Sequence, residues 1–236
     1  MTNLRAATAL TALLAAPAFA LPAWAGEPEP YALDPVHTRV LFAVGHAGFS
    51  KALGTVSGSS GYLLFDPDDW TTARLEVRVP LQRIDLGDEK WNAAVRAGNL
   101  LDVGRHPEVR FVATEVEPVD ANHASVCGDL TLRGVTRPQC LDVALNALKR
   151  HPMPPFRQTV GFSATATLSR AAYGIDAWKS VIDDEVELRI EAEAARDYSA
   201  MAKFAEPADE VPESNGAPSP EPLPVEPPEP EPEPTP

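Results

Sequence analysis

The sequence predicts an all-β protein: an eight-stranded antiparallel barrel with one short helix, followed by a disordered tail rich in Pro and Glu. Three observations lead there. Apolar and polar residues alternate with period two through the middle of the chain, as in strands with one dry face. Only one stretch has helical spacing, and both ends differ sharply in composition from what lies between them.

Residues 1–25 carry Arg5, then an Ala- and Leu-rich run, then small residues at Ala18-Phe19-Ala20 and Ala23-Trp24-Ala25, which is the pattern of a secretory signal peptide. Cleavage after Ala25 is favoured over Ala20, which would leave Pro22 at the second mature position. The apolar run is shorter than the roughly 20 residues of a membrane-spanning helix, and no later segment comes closer. An exported, periplasmic protein that does not span the membrane is the expectation.

The alternation is cleanest in three places. Leu75, Val77, Val79 and Leu81 alternate with Arg74, Glu76 and Arg78, and Val160, Phe162, Ala164, Ala166 and Leu168 alternate with small polar residues. Val186, Leu188, Ile190 and Ala192 alternate with charged ones. Thr38 to His46, Thr55 to Asp66, Val109 to Val116, Ala124 to Leu132 and Val135 to Leu145 complete eight strands, and Glu89 to Leu101 is the one helical candidate. Closure into a barrel is preferred to a sandwich because it removes exposed edges. An interior of that size either fills with side chains or holds one small ligand. Its inward residues are mostly Val, Leu, Ala and Phe, so an occupant would be greasy.

From Glu206 to Pro236 the chain has no Lys or Arg and almost nothing apolar, so it cannot bury a core and has polyproline II bias. The expected organisation is a leader over 1–25, one domain over 26–200 and a disordered tail over 201–236. Glu206 to Pro236 carries nine of the acids behind the net charge of −14, and with that stretch and Arg5 removed the remainder is at −6. Such a surface disfavours nucleic acid, and disfavours docking to anionic headgroups by charge alone.

Recognisable chemistry is sparse. The five histidines, His37, His46, His106, His123 and His151, sit in no catalytic context, and their spacing matches no metal motif. No catalytic residue, required cofactor or metal is therefore assigned. Cys127 and Cys140 are expected to form a disulfide. With Val126, Leu130 and Leu132 facing in, and Leu141, Val143 and Leu145 facing in on the return strand, both cysteines share the outer face. A two-residue loop at Arg133-Gly134 would put them directly opposite each other, and one at Gly134-Val135 would leave them diagonal.

Dispersed matches in the right order make the chain from Tyr31 to about Ala194 resemble the YceI family of exported bacterial proteins. They include Tyr31-Ala32-Leu33-Asp34-Pro35-Val36-His37-Thr38 leading to Phe42 and His46, then Gly54, Gly61 and Phe65-Asp66. Further on come Arg105-His106-Pro107 with Phe111, the run Gly128 to Pro138, and Ser169-Arg170 before Tyr173-Gly174-Ile175. The resemblance implies a lipocalin-like barrel whose hydrophobic pocket takes a polyisoprenoid chain, such as a quinone tail, with no established catalytic activity. The chain departs from the family at Ala94-Val95-Arg96, where a His-Leu-Arg is usual, and at Leu100-Leu101-Asp102, where a Phe pair is common.

The leading expectation is thus a carrier or sequestering protein for an isoprenoid lipid or quinone. Its ligand-binding side chains are expected among Phe42, Val44, Leu75, Val77, Phe111, Leu132, Phe162 and Leu188, with Tyr173 and Trp178 at an opening. Two alternatives belong to other classes. One is a filled scaffold whose acidic, Pro-rich tail makes the interactions; the other is a small enzyme that acts on a bound lipid through Asp34, His37 or His46. A homodimer is left open by the sequence.

Overall fold

The computed structural model describes residues 26–200 and 202, so the expected leader and nearly all of the expected tail lie outside the described residues. The described chain contains the strands β1 (Glu29–Leu33), β2 (Arg39–His46), β3 (Ser50–Ser57), β4 (Ser60–Phe65), β5 (Arg74–Pro80) and β6 (Ile84–Asp85). The helix α1 (Glu89–Arg96) follows, and then β7 (Glu108–Pro118), β8 (His123–Leu132), β9 (Val135–Arg150), β10 (Gln158–Ser169) and β11 (Ile182–Arg196). All pairings are antiparallel. The order β1-β4-β5-β7-β8-β9-β10-β11 returns to β1, which closes the barrel.

Two of the eight passages are broken. β2 continues β1 along the same edge of β11, and β3 continues β4, with β6 pairing against β3. The first break follows from Asp34-Pro35: the Asp34 carboxylate accepts from Val36 N (2.8 Å) and His37 N (3.2 Å), an Asx turn that interrupts the ladder. The second break is at Gly58, whose φ is +78° and whose N–H donates to Pro35 O (3.2 Å). The two breaks are therefore tied to each other. Neither β1 nor the two-residue β6 shows alternation long enough to be read from sequence.

The helix is shorter than its apolar spacing predicts. Asp88 caps it by accepting from Lys90 N and Trp91 N, and it ends at Arg96, not Leu101. After Ala97 the chain coils around Asp102, with Leu101 N on Val95 O and Val103 N on Arg96 O. That turns Leu100 and Val103 into the barrel as buried residues. β9 runs five residues past the predicted end. It parts from β10 beyond Asp142–Thr165, and Gln139 Nε2 reaches Thr167 O (3.3 Å) across the gap.

The β8–β9 hairpin has the tighter of the two expected registers. Arg133 (φ +52°) and Gly134 (φ +75°) form the two-residue loop with both φ positive, as a type I′ turn requires. Leu132 pairs with Val135 and Cys127 with Cys140, and the cysteines are joined by a disulfide.

One end of the barrel is solid. Phe65, Trp70 and Phe162 meet edge to face with centroids 5.1–6.2 Å apart, and Tyr31, Val160 and Ala194 are buried beside them. At the other end, Arg170 organises the β10–β11 connection. The residue is only 5% exposed, and its guanidinium donates to the carbonyls of Ile175, Ala177, Ile182 and Asp183 at 2.7–2.9 Å.

Two outcomes are expected. Arg170→Met leaves those carbonyls unpaired and lowers the unfolding free energy by about 3 kcal/mol or more, with Arg170→Lys recovering only part because one ammonium cannot replace the fork; denaturant titration measures both. Thiol titration of the denatured, unreduced protein finds no free thiol, and Cys127→Ser with Cys140→Ser costs about 2–3 kcal/mol in the same titration.

Candidate functional site

Above the solid end, the inward faces of the strands do not meet. They enclose a cavity of about 520 Å³, within the size range of small-molecule sites. Its floor is the Phe65, Trp70 and Phe162 cluster, and its walls are the alternating residues of every long strand. Along β11 the lining extends from Ile182 at the top to Ala192 and Ala194 beside the floor. Trp91, Val95, Leu100 and Leu101 close one side of the top. The lining residues that remain substantially exposed, Trp91, Trp178 and Val181, are all at this end, which is the mouth.

The lining is almost wholly apolar, with Thr38, His46, Ser59, Gln139, Arg170 and Glu193 as its polar members. Most of these are engaged with backbone. Arg170 and Gln139 hold carbonyls, and Thr38 Oγ1 donates to Glu193 O (3.4 Å). Ser59 Oγ and Trp70 Nε1 are buried without a hydrogen-bond partner among the described residues. One glycine shapes the wall: Phe42 lies flat across Gly54 of β3, where a Cβ would come within 2.2 Å of Phe42 Cζ. An alanine at 54 would have to push that ring toward the cavity.

Of the residues expected at the site, Phe42, Val44, Leu75, Val77, Phe111, Leu132, Phe162 and Leu188 line the cavity, and Trp178 stands at its mouth, half exposed. Tyr173 does not. It lies in a 3₁₀ turn, Ala171–Tyr173, and is 2% exposed, packed into the core away from the opening. The Arg170 fork folds this segment back on the barrel, Arg137 Nε fastens Ala172 O, and the cavity contact passes to Ile175. Burial raises the Tyr173 phenol above its ordinary pKa, with Arg137 opposing. The helix and its following loop also line the cavity, at the segment where the chain departs from the family pattern; periodicity shows that α1 has an apolar face but not what that face covers.

The candidate catalytic groups do not converge. Asp34 and His37 face each other at 2.8 Å, but on the outer surface. The hydrogen bond with Asp34, and the carboxylate's charge, raise the His37 pKa. At Asp34, burial works upward and is outweighed by the bonds from His37 and from the backbone of Val36 and His37, so its pKa is lowered. His46 does line the mouth, but its ring tilts against Trp91 with centroids 5.4 Å apart. Among the described residues no cluster of three His, Cys, Asp or Glu side chains could hold a metal.

Solved structures share this architecture. BcnA of Burkholderia cenocepacia superposes with a TM-score of 0.62 at 21% identity, covering 69% of this chain and 99% of that one. A polyisoprenoid binding domain from Saccharophagus degradans superposes at 0.54 with 15% identity, over 71% and 98%. In sequence, the chain is 29% identical over 160 residues to a UPF0312 protein of Pseudomonas paraeruginosa (68% of this chain, 82% of that protein). It is 28% identical over 180 residues to one from a Shewanella species, covering 75% and 93%. Residues 31–194, from the first barrel strand to the last, match the YceI-like domain, and the chain therefore belongs to the YceI family.

Proposed function

We propose that this protein is an exported, periplasmic binding protein that carries or sequesters a polyisoprenoid lipid, such as a quinone, with the tail inside the barrel and the polar group toward the mouth. The observation that carries the reading is the cavity: about 520 Å³, floored by the Phe65, Trp70 and Phe162 cluster and lined by side chains with hardly a polar group unspent. A long linear hydrocarbon with only methyl branches, as in a polyisoprenoid, fits that space. Each isoprene unit taken out of water contributes roughly 3 kcal/mol, from which the ordering of the chain is subtracted. The polyisoprenoid binding domain of Saccharophagus degradans, with the same fold, supports the ligand class. The leader-like sequence of residues 1–25 supports export, and the acidic surface opposes nucleic acid as a partner. The role is binding without catalysis, and no cofactor is required. A barrel used only as a scaffold has no need of an apolar space this size, which would otherwise have been filled at a gain in stability.

Trp70 on the cavity floor supplies a probe. Titration with a quinone bearing two isoprene units quenches tryptophan emission saturably, at one ligand per chain. Phe162→Trp narrows the floor and Phe111→Trp the wall; each weakens binding about tenfold or more while the circular dichroism spectrum is kept. A wild-type protein that shows no saturable quenching, or Trp variants that bind as well as wild type, would contradict the reading.

A further inference from the structure

Large apolar side chains stand in water around the mouth. Phe49, at the tip of the β2–β3 turn, is 93% exposed; Trp178 and Val181 on the β10–β11 connection are 51% and 39% exposed, and Trp91 on α1 is 44% exposed. Three separate segments of chain bring them together. Ala47 N donates to Val181 O (2.6 Å), Val181 N to Trp178 O (2.9 Å), Phe49 N to His46 O (3.1 Å), and the His46 ring packs on Trp91. A single exposed hydrophobic residue needs no explanation, but a group rimming the opening of an apolar cavity is a patch that something covers.

We propose that this rim seats on the surface of a zwitterionic lipid bilayer, with Phe49 and Trp178 in the interfacial layer, so that the cavity opens directly onto lipid. The inference rests on the lipid ligand proposed above. Trp91, Trp178 and Val181 belong both to the rim and to the cavity lining, so the exposed patch is continuous with the ligand's path. A bilayer offers apolar material to both at once. Indole and phenyl groups on turns suit the headgroup boundary, where one side of a ring is wet and the other is not. The charges select the kind of surface. Lys51 is paired with Glu187 and Lys179 with Asp176 (2.8 Å), while Lys90 is flanked by Asp88 and Glu89, with Asp183, Asp184 and Glu185 close behind the mouth. The rim thus has no excess of cations to draw it to anionic lipid, and apolar insertion must hold it.

Flotation of the purified protein with phosphatidylcholine vesicles tests this. The protein is expected to float with them and its tryptophan emission to shift to the blue, with no gain when phosphatidylglycerol is added. Phe49 does not line the cavity, so Phe49→Ser should lower vesicle partition about tenfold, the effect of one buried aromatic. It should still bind the two-isoprene quinone in vesicle-free solution as wild type does, and Phe49→Trp should restore partition. No flotation, flotation only with anionic lipid and abolished by salt, or a Phe49→Ser variant that partitions like wild type would overturn the docking surface. So would burial of the rim in a complex with a soluble protein while vesicles are ignored. Quinone binding in solution is read separately: its loss with flotation intact removes the ligand reading and leaves the surface standing.

Discussion

The cavity exists because the barrel closes, and closure depends on β11. Its fifteen residues pair with β10 along one edge and with both β1 and β2 along the other, so one strand carries the seam from floor to mouth. The register shifts between Ile182 and Val186 next to β2, and Asp34 N and Thr38 Oγ1 both donate to Glu193 O where β1 gives way to β2. The ladder is thus carried past the break by hydrogen bonds from the turn. A closed ring has no edge to protect, and a ring of eight has room inside. Everything proposed for this protein follows from how that room is filled.

It is filled unevenly. At the floor, aromatic rings from β4, from the turn that follows it and from β10 meet edge to face, and the neighbouring residues Tyr31 and Val160 have no exposed surface. Higher up the same alternation continues mostly with Val, Leu and Ala, and the space between the walls stays open. Leaving apolar surface unpacked costs contacts that a solid core would have made. The chain also spends a buried arginine on holding the loop at the mouth in place. These costs are intelligible if an apolar guest completes the packing.

Much of this was legible in the sequence, for local reasons. Alternation assigns the residues of β5, β8, β10 and β11 to faces, and a Gly-containing two-residue turn narrows the β8–β9 register to two choices, of which the structure has the direct one. Several lining residues, and the shared outer face of Cys127 and Cys140, could therefore be read from sequence alone. What could not be read depended on contacts distant in sequence. β1 is a strand only because β4 and β11 lie on either side of it, and β6 only because β3 does. The helix ends early because Leu100 and Val103 have a barrel to enter. Tyr173 resembled a rim residue on composition, but the buried Arg170 beside it draws its turn inward, a tertiary effect with no local signal. His37 and Asp34 looked like candidates for chemistry and prove to be the cap of an Asx turn on the outer surface.

The central claim is that the space inside the barrel belongs to a long isoprenoid lipid. The most direct measurement is native mass spectrometry of the protein purified without detergent from the cells that make it, followed by organic extraction and fragmentation of whatever is released. The account predicts a single adduct per chain whose fragments show the regular isoprene spacing. Protein that arrives unliganded from cells rich in isoprenoids, or that carries only fatty acids and phospholipids in no fixed ratio, would contradict it.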